Sequence, residues 1–147
     1  MFSKSCEYGI RSLIYIAGKS LKGERVKINE VSEELGIPAA FTAKIMGTLV
    51  RNNVLESHKG PTGGFFLSEK QLKETKLSKV VQAIDGDQLF HGCALGLPEC
   101  NAAKPCPLHE DFVILRSNLK RMLDSAGINE LANNYLDGSA FLSRKSS

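Results

Sequence analysis

The chain has no tryptophan, and aromatic residues make up only 7% of its 147 positions. That scarcity argues against a stacking platform for single-stranded nucleic acid. Long apolar runs are also missing: nothing approaches the roughly 18 residues of a membrane span. The apolar stretch 10–17 is interrupted by Arg11, follows Glu7 and has no small-residue cleavage site, so it does not read as a secretion signal. Strong charge of either sign is absent, the formal net charge being +3. Its placement is more telling: residues 1–68 hold nine Lys/Arg against six Asp/Glu, while 69–147 hold ten of each. The excess falls in the N-terminal half, where a nucleic-acid reader would need it. The size predicts one domain, or one small domain with an extension, and 42% hydrophobic content suffices for a core without metal. The sequence therefore predicts a cytoplasmic protein that does not contact membrane, with thiols kept reduced.

What is present is a cluster of sulfur. Three of the four cysteines fall in one Gly/Pro-rich segment, HGCALGLPECNAAKPCPLHE, spaced Cys93-(6)-Cys100-(5)-Cys106 and followed by His109. Soft thiolates plus one imidazole are a metal donor set. Zinc would accept three Cys and a His, but its structural motifs favour cysteines two to four residues apart. Wider, singly spaced thiolates suit an iron–sulfur cluster, whose irons lie further apart than the ligands of one ion, and His can replace Cys on a cluster iron. Structural zinc and a metal-free thiol switch remain the alternatives. Pro107 suits a first helical position, which makes Cys106 the expected N-cap of the next helix. Cys6 lies on an apolar stripe and reads as packing. Glu7 pairs with Arg11 at i,i+4, or reaches a cluster in a second copy.

Around this segment the pattern is helical. Apolar residues predict helices over 4–19, 30–35 (capped by Asn29) and 39–52, the last with Phe41, Ile45, Leu49 and Val50 inward. Two short extended runs, 54–58 and 65–68, flank KGPTGG and predict a β-hairpin. Ser78 caps a helix over 79–85. Residues 86–106 lack any period, and without metal they are expected to be disordered. Leu108, Phe112, Leu115, Leu119, Met122 and Ala126 mark a long helix with a narrow apolar seam, free to pack on its own domain or on a second copy. A last helix, capped by Asn129, runs to about 136, and the tail is expected to fray.

Helix, turn, helix, hairpin is the order of a winged helix-turn-helix, whose second helix enters the major groove. The expected fold is mostly α with a small β-wing and a long C-terminal helix open to dimerisation or to packing on its own domain. Its parts are a DNA-binding domain over 1–85, a cysteine loop over 86–107, and the long helix, terminal helix and tail over 108–147. On the reading helix the candidates are Ala39, Ala40, Thr42, Ala43 and Lys44. Thr42 is the one able to donate or accept at a base edge, and alanine offers only contact with a thymine methyl. Arg51, His58, Lys59 and Thr62 are candidates for phosphate or minor-groove contact around the wing. A catalytic pair of Cys106 and His109 lacks oxyanion donors and an orienting third group, so no enzyme is expected.

The start CEYGIRSLIYIA, the stretch INEVSEELGIPAAFTAKIMGTLVRNNVLES, the wing HKGPTGGFFLS and the three-cysteine loop together resemble the Rrf-type winged-helix transcriptional regulators of the IscR/NsrR-like iron–sulfur group, over about 1–136. The resemblance implies a homodimer that binds double-stranded DNA and carries an iron–sulfur cluster in each loop. It implies Cys93, Cys100 and Cys106 as ligands. The fourth is His109, as in members with a 2Fe–2S cluster, or the partner subunit's Glu7; a 4Fe–4S cluster is the other possibility. Ala43 stands where IscR-like members carry a base-reading glutamate, so their operator is not inherited. The expected function is regulation of transcription in response to redox state, nitric oxide or iron–sulfur status.

Overall fold

A computed structural model describes residues 1–144. The expected tail falls partly on 145–147, outside the described residues. Helix α1 (Lys4–Leu21) starts where the Ser3 side chain accepts the Cys6 N–H and buries Leu13, Ile14, Ile16 and Ala17. Helices α2 (Ile28–Leu35) and α3 (Ala39–Arg51) follow, then strands β1 (Glu56–His58) and β2 (Gly64–Phe66), paired antiparallel. Next come α4 (Glu69–Glu74), α5 (Leu77–Asp85), the single turn α6 (Gln88–His91), the long α7 (His109–Ser125) and α8 (Ile128–Leu136). The architecture is mostly helical with one two-stranded sheet, as expected.

One core joins both halves. Leu13 and Ile16 from α1, Met46 and Leu49 from α3, and Val80 and Val81 from α5 meet Leu123 at the end of α7 and Ile128 and Ala132 of α8. The linkers on either side of this core are stitched together: Leu77 donates to Ala126, and Ile128 to the carbonyl of buried Thr75. Helices α1 and α5 approach closely at Gly9, where a Cβ would sit 2.2 Å from Ile84 Cδ1.

Several boundaries differ from those the sequence predicts. Helix α2 begins at Ile28, before the expected cap Asn29, because the Glu30 carboxylate turns back to accept the Lys27 N–H. Helix α5 begins at Leu77 and α8 at Ile128, so Ser78 and Asn129 lie inside helices. Helix α4 is an addition to the expected elements, directly after the second strand. It is set by a full capping box in which the Ser68 hydroxyl accepts from the Gln71 N–H and the Gln71 side-chain carbonyl accepts from the Ser68 N–H. Cys106 is not the cap of α7: it sits one tight turn earlier, its carbonyl accepting from His109 N–H, and Leu108 occupies the cap. The described part of the tail does not fray, since Ser139 and Ala140 return to the Asn134 carbonyl and Arg11 holds the Leu142 carbonyl.

Candidate functional site

The α2–α3 turn is built to hold an angle. Gly36 takes a left-handed conformation (φ +67°), which allows Ile37 N–H to return to the Ser32 carbonyl, while the Ser32 hydroxyl donates to the carbonyl of Ile37. From α1, Arg11 donates to the Leu35 carbonyl at 2.8 Å. Arg11 therefore serves the turn, and the expected partner Glu7 pairs with Lys4. A buried carbonyl gains more from a guanidinium than an exposed carboxylate does.

On α3 the exposed N-terminal side carries Ala39, Ala40, Phe41, Ala43 and Lys44. Two expectations are exchanged here. Thr42 is fully buried, with its hydroxyl donating to the Pro38 carbonyl at 3.1 Å, so it does not face a DNA groove. Phe41, expected inward, is 46% exposed and meets the edge of Tyr8. Arg51 is exposed at the far end of the helix, bonded to Thr48.

The wing is stiffer and more basic than the hairpin alone. Val26 pairs with Phe65 through bonds of 3.1 and 2.7 Å, adding a third extended segment beside β2. Gly64 (φ +139°) makes this approach possible, since a Cβ there would lie 2.8 Å from the Val26 carbonyl oxygen. The pairing brings Arg25 and Lys27 to the wing. Arg25 stacks on Phe66 at 4.7 Å and donates to the Thr62 carbonyl, and Lys27 donates to the Gly60 carbonyl. His58, Lys59 and Thr62 are exposed around the same tip. Sequence reasoning missed Arg25 and Lys27 because the partner that brings them to the wing is some 40 residues away.

Cys93, Cys100, Cys106 and His109 line a single small cavity together with Phe112 and Arg116. The Cys93 sulfur accepts the Leu95 N–H at 3.4 Å. That bond, with the N–H of Leu97, the Cys106 thiol and the N–H of Gly96, holds the Cys93 thiol below its ordinary pKa. Cys100 Sγ lies 3.4 Å from His109 Nδ1 and 2.8 Å from Arg116 Nη2. Among the described residues, no three His, Cys, Asp or Glu side chains converge closely enough to hold one metal ion. Cys6 is fully buried, and burial first, then the Asp85 carboxylate, pushes its thiol up to about 12. Glu7 is exposed on α1 and does not line the sulfur cavity of its own chain.

Protein contacts fold the loop back on itself. Gly96 N–H returns to the Cys93 carbonyl, and the Asn101 side chain accepts from Ala103 and Lys104. Arg116 adds bonds to the Phe90 and Gly92 carbonyls. Sequence reasoning missed Arg116, which lies on the predicted helix but outside its apolar seam. Half of that seam is uncovered: Leu108, Leu115 and Met122 are exposed, as are neighbouring Val113 and Ile114, while Leu119 and Ala126 pack partly against the core. The side chain of α7 that enters the core is Leu123, which the seam did not include.

No helix among the described residues is long and apolar enough to cross a membrane. An HTH-type transcriptional regulator of Aquifex aeolicus (strain VF5) is 30% identical over 136 residues, covering 90% of this chain and 92% of its own. The HTH-type transcriptional regulator IscR of Photorhabdus laumondii is 27% identical, covering 86% and 76%. Among solved structures, CymR, the global cysteine regulator of B. subtilis, superposes with a TM-score of 0.72 at 17% identity, covering 90% and 96%. T. potens IscR gives 0.70 at 12%, covering 100% and 93%. The family model Rrf2, described as an iron-dependent transcriptional regulator, matches residues 2–134. With that match over most of its length, the chain belongs to the Rrf2 family of transcriptional regulators.

Proposed function

We propose that the protein is a cytoplasmic, homodimeric, DNA-binding regulator whose affinity for its operator depends on an iron–sulfur cluster held by Cys93, Cys100 and Cys106. His109 is the favoured fourth ligand, giving a 2Fe–2S site, with the partner subunit's Glu7 and a 4Fe–4S site as the alternative. The observation that carries this reading is the gathering of three thiols and one imidazole around a single cavity at the start of α7. The donor set fits such a group. The N–H groups aimed at the Cys93 sulfur favour an anionic ligand. Singly spaced thiolates around one cavity suit a cluster better than a structural zinc, whose motifs favour cysteines two to four residues apart. When bound, a cluster supplies a centre that oxidants, nitric oxide or iron shortage change or remove. The chain's own residues do the rest. The loop joins the winged domain to α7, and the uncovered part of the α7 seam offers the second copy an apolar face. A two-fold dimer then sets its two α3 helices for half-sites about one DNA turn apart, roughly 34–36 Å. Ala39, Ala40, Ala43 and Lys44 would face the major groove, and Arg25, Lys27, Arg51, His58, Lys59 and Thr62 the flanking backbone. The division into reader (1–85), sulfur loop (86–107) and dimer segment (108–147) belongs to the same proposal.

Anaerobic purification followed by absorbance and iron and sulfide analysis tests the cluster. Coloured protein with stoichiometric iron and acid-labile sulfide is expected, and Cys93→Ser, Cys100→Ser and Cys106→Ser each remove it. Colourless wild-type protein carrying zinc would replace this reading with the structural-zinc one. The presence of Cys93 and Cys106 on one cavity supports a second reading, a metal-free thiol switch. Reversible loss of DNA binding on oxidation of iron-free protein would support it.

A further inference from the structure

Arg116 leaves α7 to meet the sulfur loop at three points. Its Nη1 donates to the Phe90 and Gly92 carbonyls at 3.3 and 3.0 Å, and its Nη2 donates to Cys100 Sγ at 2.8 Å. A fourth bond, Nε to the Phe112 carbonyl at 3.4 Å, fixes the stem against its own helix. The two loop carbonyls come just before Cys93, so one guanidinium grips the entry to the first cysteine and the sulfur of the second. Among the described residues no carboxylate forms an ion pair with it, and its charge is spent on carbonyls and sulfur. Only a planar fork meets three acceptors in this way; lysine keeps the charge and loses the geometry.

We propose that Arg116 is the positioning residue that carries the state of the sulfur site to α7, the helix whose uncovered face offers itself to a second copy. This deepens the cluster reading above and rests on it. A cation that donates to a ligand sulfur stabilises the more negative, reduced form of the site, because hydrogen bonds to sulfur and net charge set such potentials. Since the same fork holds the loop's backbone, any change at Cys100 is met by a side chain anchored in α7. Movement of the sulfur and movement of the helix are thereby linked.

The test uses full-length wild type, Arg116→Gln and Arg116→Lys. Each is compared metal-free and after anaerobic reconstitution with ferrous iron and sulfide. Three quantities are read: hydrogen exchange of loop 86–106 in metal-free protein, the reduction potential of the reconstituted site, and the ratio of DNA affinities between the two states. Arg116→Gln is expected to speed loop exchange by roughly tenfold, the loss of charge-assisted bonds. It lowers the potential and brings the affinity ratio toward one. Arg116→Lys restores the potential in large part but not the loop protection. Faster exchange with an unchanged potential and an unchanged affinity ratio makes Arg116 a mere strap and overturns the proposal. So does an Arg116→Gln protein that matches wild type throughout. If Arg116→Gln does not fold, the Lys variant decides, because a wild-type loop in it overturns the proposal. Wild-type protein that takes up no iron defeats the cluster reading. Loop exchange in the metal-free variants then judges Arg116 alone, and unchanged exchange overturns its role.

Discussion

Between α1 and α5 every helix sends side chains into a common core, whereas between Gly86 and Leu108 no residue is fully buried. The first region is held by apolar packing: Leu13, Ile16, Leu49 and Val80 are completely covered. The second is held by hydrogen bonds from Arg116, Asn101 and the loop's own amides. Packed cores have discrete arrangements and resist small displacements. A loop held by a few polar contacts opens at far lower free energy. Under the proposed sensing role, a signal would enter at the loop and not at the core. A reader of DNA gains from a fixed angle between α2 and α3, and a sensor gains from bonds that one chemical event can rewrite.

The largest expected effect separates the two regions by stability. Leu49→Ala should cost about 2–5 kcal/mol, as for other fully buried leucines. Leu97→Ala, half exposed in the loop, should cost less than about 0.5 kcal/mol. Equilibrium denaturation of metal-free protein measures both. Comparable losses at the two sites would erase the distinction between core and loop.

Next in size is the wing. Lys59→Ala should weaken binding to specific and nonspecific duplexes alike. It should also lower the slope of log affinity against log salt by about 0.9 for each phosphate that is no longer neutralised. Titrations at several salt concentrations read this directly, and an unchanged slope would remove Lys59 from the interface.

A smaller effect belongs to Thr42. Its hydroxyl is spent on the Pro38 carbonyl, so Thr42→Val should lower stability by about 1 kcal/mol. Base preference in a selection from random duplexes should stay as it was. A changed preference would return Thr42 to the groove.

The smallest effects are the thiol titrations, which run in opposite directions in the two regions. Cys93 ionises at lower pH than an ordinary thiol because backbone N–H groups face its sulfur. In metal-free protein it should therefore be alkylated at a pH where Cys6 is untouched. Burial raises Cys6 to about 12, so the unfolded chain loses that proton first. The associated stability is complete below the ordinary thiol pKa and is lost as pH climbs toward 12. Cys6→Ala should flatten that alkaline decline, as followed by thermal unfolding against pH.

Much of this architecture was legible in the sequence because its signals are local. The apolar spacing of α1 and α3, and the glycines of the wing, need no distant partner to be read. Errors arose where the deciding contact is remote or where one residue of rotation matters. Thr42 and Phe41 are neighbours about 100° apart on a helix, so a small error in phase exchanges inside for outside. Arg25 and Lys27 join the wing only through the Val26–Phe65 pairing. Helix α4 did carry a local signal, the Ser68–Gln71 capping box, which the preceding strand masked. The three cysteines and His109, close in sequence, line one cavity, so their neighbourhood needed no distant contact to be read. Arg116 was not legible in this way, since an arginine on an exposed helix looks the same whether it faces water or sulfur.

The most direct test of the central claim is a fluorescence titration of one duplex, selected by the protein from a random pool. The titrants are anaerobic reconstituted protein, the same protein stripped of iron, and the Cys93→Ser/Cys100→Ser/Cys106→Ser variant. The reconstituted form should differ in affinity from the stripped form, and the triple variant should stay at the stripped value whatever the iron supply. Three superimposable isotherms would contradict the claim.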